Sequence, residues 1–193
     1  YNRCDVVMPP SEVIVRRMQG QGITTRFVPW SRGVDHARFN PARRDLAWRR
    51  SFGIGDEELV VGFLGRLVLE KGLGVFAAVS QNLTARGVAH RVLVIGDGPA
   101  REEFQTMVGH AVMAGFQTGD DLGRAVASLD LLLNPSVTES FGNVNLEALA
   151  AGVPVIAANA TGNQALVRDG VNGRLVEPED PAAYADAIAS YAA

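Results

Sequence analysis

Two acidic and two basic side chains carry most of the chemistry open to this sequence. Glu139 and Glu147 stand on either side of Phe141-Gly142-Asn143-Val144. Arg66 and Lys71 stand inside Gly65-Arg-Leu-Val-Leu-Glu-Lys-Gly72. Carboxylates accept hydrogen bonds from hydroxyls, whereas a guanidinium fork or an ammonium holds phosphate oxygens. A helix that starts at Phe141-Gly142-Asn143 aims backbone N–H groups at an anion, and Gly142 lets a ligand approach the main chain. Asn143 and Glu147 are four apart and share a helix face. An anion cradled by N–H groups between two hydroxyl acceptors describes a sugar phosphate. Taken singly, each residue has a plainer use: Glu139 as a solvated or capping loop residue, Glu147 on a helix surface, Arg66 and Lys71 as surface charges beside Glu70.

The elements that must position these groups follow from hydrophobic pattern. Leu129 to Leu133 is an apolar run that stops at Asn134-Pro135. A loop with Ser136, Thr138, Glu139 and Ser140 leads to a helical pattern through Val144, Leu146, Ala148 and Leu149, ended by Gly152 and Pro154. Leu59 to Gly65 lacks polar alternation, as a central parallel strand covered on both faces would. Further strands are expected at 91–95, 111–116, 153–157 and 174–176. Helices are expected at 72–86, at 119–128, where Asp120 and Asp121 match the dipole, and at 182–193. Strand and helix alternate from residue 59 onward, which predicts an α/β doubly wound parallel sheet. Ligands of such sheets sit at the carboxyl ends of the strands, where the Arg66 and Glu139 loops both open. Upstream, short strands are expected near Asp5–Met8 and Arg26–Pro29, with a helix from Ser11 to Gly20 between them. The arginine-rich piece Arg43 to Phe52 reads as a solvated face.

Composition removes several classes. With 193 residues, 47% of them hydrophobic, the chain can bury one sizeable core. A net charge of -3 gives no general attraction to nucleic acid or anionic membrane. The single cysteine, Cys4, allows no internal disulfide and no cysteine metal cluster. No Asp-x-Asp occurs, and His36, His90 and His110 are not in ligand spacing, so no metal is expected. No run reaches transmembrane length and no signal peptide is visible, so the reading is soluble and cytoplasmic. The start without Met and the end inside a helical pattern read as a fragment. Gly96-Asp-Gly-Pro-Ala-Arg101 fails as a dinucleotide fingerprint because Arg101 occupies the third glycine position; a tight turn is the better reading. No Gly-x-Ser-x-Gly elbow or Cys/His set points to hydrolysis.

Glu139, seven residues and Glu147, followed by Glu-Ala-Leu-Ala-Ala-Gly-Val-Pro-Val, resembles the signature of retaining nucleotide-sugar glycosyltransferases of family 4, which have the GT-B architecture. Gly65, Arg66, Lys71 and Gly72 match that family's Gly-Arg-x-x-x-x-Lys-Gly residue by residue. The resemblance implies a Rossmann-like C-terminal, donor-binding half. In it Arg66 and Lys71 hold the diphosphate, Glu139 the sugar hydroxyls and Glu147 the ribose hydroxyls. The segment Ser140, Phe141, Gly142, Asn143 and Val144, with Gly65, completes the donor contacts, and Phe116 and Gln117 face the base. Glu139, Arg66 and Lys71 are then the catalytic set, easing metal-independent departure of the diphosphate.

The same resemblance divides the chain into 1–41, a remnant of the N-terminal domain and its crossover, 42–178, the donor domain, and 179–193, a truncated helix. Gly33-Val34-Asp35, Phe39 and Pro41 fit the crossover. Arg32 and His36 could face the cleft, though a solvated linker is the better reading of both. The acceptor, a sugar, lipid or glycan, falls to the missing half, which could also touch a membrane peripherally. The isolated piece then binds donor and transfers little. Phe-Gly-Asn-Val and Arg-Gly-Val-Asp lean toward GDP-mannose, with a UDP-sugar as the other donor; no cofactor is implied. The chain departs from the family at Gly-Gly-x-x-Glu, where Thr161-Gly-Asn-Gln-Ala165 lacks one glycine and the Glu. A nucleotide-sugar epimerase or phosphorylase on a related scaffold, and an NAD-binding module, remain as alternatives.

Overall fold

The computed structural model describes residues 1–160 and 162–192; the expectations at Thr161 and, in the last helix, at Ala193 lie outside them. Six strands form one sheet: β1 Val60–Leu64, β2 Arg91–Ile95, β3 Val112–Gly115, β4 Leu131–Asn134, β5 Val155–Ala158 and β6 Gly173–Val176. Their order is β3-β2-β1-β4-β5-β6 and every pairing is parallel. The chain winds outward from β1 to β3, then returns to lay β4 against β1 and winds the other way. The loops that follow β1 and β4 therefore leave neighbouring strands in opposite directions, which opens a crevice between them.

The apolar runs became strands because both faces are covered. On one face, Val61, Phe63, Leu131 and Leu133 pack with α3 (Leu73–Ala85), α4 (Arg101–Val108) and α7 (Pro181–Ala192). Phe63, Phe76 and Phe104 meet there with ring centroids 5.4–6.0 Å apart. On the other face, Val60, Leu93, Leu132 and Val155 pack with α5 (Gly119–Ala127) and α6 (Asn143–Ala150). Alternate residues of each strand feed alternate cores, the period of two that a pleated strand imposes.

Upstream, α1 (Glu12–Gly20) begins at Ser11, whose Oγ accepts the Ile14 N–H at 3.3 Å. The two short strands expected around it shrink to one parallel bridge, Val7 with Phe27. With no third strand beside them they cannot extend a ladder. Residues 38–41 lie against the sheet domain: Phe39 is buried in its core, a Cβ at Gly123 would overlap the Arg38 carbonyl, and Pro41 packs on Gly152.

The arginine-rich piece is α2 (Leu46–Ser51), and it corrects the solvated-face reading. Arg49 is fully buried. Its guanidinium donates to both Asp130 oxygens at 3.2 and 3.1 Å and to the Gly55 carbonyl at 3.0 Å. Asp130 also accepts the Val60 N–H at 2.8 Å and pairs with Arg44. A counter-charge just ahead of β4 thus draws one arginine inward at the amino edge of the sheet. No helix among the described residues is long and apolar enough to cross a membrane.

Candidate functional site

At the crevice between the β1 and β4 loops, the predicted cation and carboxylate touch. Lys71 Nζ donates to Glu139 Oε1 at 2.7 Å, with side chains 30% and 14% exposed. Lys71 closes a 3-10 turn, Leu69–Lys71, and Gly72 follows in the left-handed region at φ 74° before α3 begins. A side chain at Gly72 would crowd Pro135 at 3.1 Å, so glycine lets the two loops meet.

Arg66 and Glu147 line one cavity of about 410 Å³, together with Gly65, Phe116, Gln117 and Val144. Its floor comes from the ends of β1 and β2 and the turn at Gly96-Asp97. The loops after β1 and β2 lie backbone on backbone. A Cβ at Gly96 would overlap the Gly65 carbonyl and one at Gly98 the Leu67 carbonyl. Leu67 N–H donates to Asp97 O at 3.0 Å, and Ala100 N–H returns to Leu67 O at 3.1 Å. The Gly-Asp-Gly-Pro segment is thus a tight turn, held further by Arg101 on Asp97 at 3.2 Å. Gly65 itself has φ 136° and open space on its other side.

Arg66 is exposed and, among the described residues, its guanidinium has no ion-pair or hydrogen-bond partner; its carbonyl accepts the Val68 N–H at 3.1 Å. Phe116 is 75% exposed on the cavity rim. Gln117 spends its amide N–H on the Ala114 carbonyl at 2.7 Å. Glu147 is half-buried; desolvation pushes its carboxyl above the ordinary glutamate range, against the opposing pull of Arg38.

Helix capping separates this edge from the rest of the fold. α1 and α2 are capped by Ser11 and Asp45 side chains, and Asp180 accepts the Ala183 N–H at the start of α7. α3, α4, α5 and α6, which start around the site, have no side-chain cap. Uncapped first turns leave N–H groups for an anion. Gly142, at φ 88°, opens α6. Val144 and Glu147 turn toward the cavity, while Asn143 is exposed and does not line it.

The structure does not gather every expected residue in one place. Ser140 and Phe141 border a second cavity of about 600 Å³ with Met8, Trp30 and Arg32, because the loop turns toward the N-terminal segment there. Arg32 thus lines a cavity, and His36 lies exposed outside both. Sequence reasoning missed three buried asparagines, Asn134, Asn145 and Asn163, which bond one another behind the Glu139 loop. The available signal was a polar residue, Asn145, three residues before Ala148 and so on the same buried face of α6.

A doubly wound, all-parallel sheet with helices on both faces places the chain in the Rossmann-like class. The chain belongs to the family of glycosyl transferases group 1, whose description matches residues 58–193. It is 36% identical over 180 residues to a GDP-mannose-dependent alpha-mannosyltransferase of Corynebacterium glutamicum, covering 93% of this chain and 42% of that protein. It is 33% identical over 188 residues to a sulfoquinovosyl transferase of Arabidopsis thaliana, covering 93% of this chain and 36% of that one. HepE of Anabaena, solved in complex with UDP-glucose, matches with a TM-score of 0.79 at 25% identity, over 98% of this chain and 54% of that one. Sucrose-phosphate synthase from Thermosynechococcus elongatus shares the fold, with a TM-score of 0.83 at 22% identity over 98% and 49% of the two chains. The chain spans less than half the length of these two curated relatives.

Proposed function

We propose that this chain is the donor-binding half of a retaining glycosyltransferase that moves a sugar from a nucleoside diphosphate onto an acceptor hydroxyl. The observation that carries this reading is the Lys71–Glu139 contact at the sheet's crevice, beside a cavity that Arg66 and Glu147 share. Arg66 in that cavity, Lys71 at the crevice beside it and the uncapped helix starts offer positive potential to a diphosphate. Glu147, half-buried and four residues into α6, accepts from ribose hydroxyls, and Glu139 accepts from the sugar. Phe116 offers a flat apolar face at the rim for a base. As the sugar bond breaks, negative charge grows on the diphosphate, and Arg66, Lys71 and the start of α6 stabilise it without a metal.

The donor is GDP-mannose or a UDP-sugar. The mannosyltransferase relative is named for the first, and the HepE structure holds UDP-glucose. On this reading residues 1–41 belong to the N-terminal half and its crossover, 42–178 to the donor domain and 179–193 to a last helix. The acceptor is bound by the other half, and the chain alone binds donor and transfers little.

Calorimetry with GDP-mannose and UDP-glucose tests the proposal. Arg66→Ala, Lys71→Ala and Glu147→Ala are each expected to weaken the preferred donor about tenfold or more, since a hydrogen bond to a charged group contributes roughly 1.5–3 kcal/mol. Unchanged affinity in all three variants would remove the assignment.

A further inference from the structure

Among the described residues, the loop that carries Glu139 has little main-chain support. Among the described residues, no backbone N–H from 136 to 142 donates to another backbone carbonyl. Its anchors are side-chain amides. Asn134, at the end of β4, takes the Ser136 N–H on Oδ1 at 3.3 Å. Asn163, from the 3-10 turn Asn163–Ala165, donates from Nδ2 to the Ser136 carbonyl at 3.0 Å and to the Ala158 carbonyl at 2.9 Å. Those two carbonyls fix which way the Asn163 amide points, because only its nitrogen can donate. Its Oδ1 then accepts from Asn145 at 2.8 Å and from Asn134 at 3.3 Å, and Asn134 also donates to Asn145 Oδ1 at 2.8 Å. Asn145 and Asn163 are wholly buried and Asn134 nearly so.

Both stems of the loop are tied to this cluster. Ser136 is held directly, and Gly142 packs on the Asn145 amide, which a Cβ there would approach to 2.9 Å. In the middle, Gly162 lies so close behind Glu139 that a Cβ would overlap its carbonyl. The turn in which the sequence departs from its family's Gly-Gly-x-x-Glu is therefore the turn that backs the Glu139 loop. Three amides with their donors and acceptors used form a rigid network, and removing one leaves buried partners unpaired.

We infer that Asn163, with Asn134 and Asn145, is a positioning residue that sets Glu139 where a donor sugar's hydroxyls meet it. The inference rests on the donor reading of Glu139. Arg66 and the floor of its cavity come from the ends of β1 and β2, which Asn163 does not touch, so Asn163 acts on the sugar end of the ligand more than on the diphosphate end.

The test titrates GDP and GDP-mannose, and UDP and UDP-glucose, into the chain, and follows the pair that the wild type binds more tightly. The readout is the ratio of the diphosphate's Kd to that of its sugar form. Asn163→Ala, and Asn163→Ser with one hydroxyl donor retained, are each expected to lower that ratio about fivefold, toward the value of Glu139→Ala. The diphosphate's own Kd should move less than about threefold, and amide exchange at Ser136, whose N–H bonds Asn134 Oδ1, should accelerate. Ile188→Ala, buried in α7 and outside both the asparagine cluster and the Arg66 cavity, destabilises the fold and leaves the ratio alone. A ratio unmoved by both Asn163 variants, while Glu139→Ala lowers it, overturns the positioning role. If Glu139→Ala also leaves it unmoved, the donor reading of Glu139 falls and this inference with it.

Discussion

Replacing Glu139 by glutamine should move two affinities in opposite directions. In the free chain Lys71 Nζ is committed to Glu139 Oε1 at 2.7 Å. A diphosphate that recruits Lys71 competes with this pair, whereas a sugar hydroxyl is an extra partner for the carboxylate. Glutamine keeps the shape and removes the charge. For the nucleoside diphosphate alone, the ion pair no longer opposes binding. Exposed pairs contribute roughly 0–1 kcal/mol, and this one, with its carboxylate 14% exposed, sits at or above the top of that range. Binding should therefore tighten about fivefold. For the nucleotide-sugar, a charge-assisted bond to a hydroxyl is weakened. Its loss of about 1.5–3 kcal/mol corresponds to roughly 10- to 150-fold, partly offset by the freed lysine. Isothermal titration of both ligands at one salt concentration reads both constants, and fixing the salt keeps screening of the pair constant. Should both affinities weaken together, Lys71 does not exchange partners and the exchange argument fails.

Three further outcomes follow from groups described above. Glu147 has a carboxyl pKa raised in the folded state, so its stabilising share is full below the ordinary value of 4.5 and is lost as pH rises through the raised one. Glu147→Gln should accordingly raise the melting temperature at pH 7 while weakening donor binding, and equal melting temperatures would contradict it. His90 is lowered from 6.5, chiefly by burial and further by facing His110, while its bond to the Val88 carbonyl pulls the other way; its Nε2 lies 2.8 Å from Ser80 Oγ. The unfolded chain takes that proton first, so stability should fall as pH drops below 6.5, and His90→Gln should flatten the fall in a pH series of denaturant melts. Arg49→Met strands Asp130 from its buried partner at the edge away from the site. Asp130 keeps Arg44 and the Val60 N–H, so the loss should be about 1–3 kcal/mol in urea titration, with donor affinity of the folded fraction unchanged.

The sheet was legible because each buried strand is an unbroken apolar run, and the crevice followed from where the loops after 59–65 and 129–133 must open. The meeting of Lys71 with Glu139 was legible through spacing and family likeness together; neither residue reveals it alone. The burial of Arg49 was hidden because its partner Asp130 lies far along the chain, and arginines in a short helix ordinarily face water. The asparagine cluster was hidden for a related reason. Each amide is satisfied by the other two elements, so no local pattern announces it. Ser140 and Phe141 do not line the cavity of Arg66 and Glu147 because residues adjacent in a motif need not share a direction: the loop turns between Glu139 and Gly142.

The seam where Gly65 meets Gly96, and Leu67 meets Gly98, has a consequence for how this protein can change. Main chain touches main chain there, so drift cannot place new atoms beneath the cavity, where the proposed nucleotide would lie, without prying two loops apart. A lineage acquiring a taste for a different base must work from above, at solvent-facing positions such as Phe116, where a substitution disturbs nothing underneath.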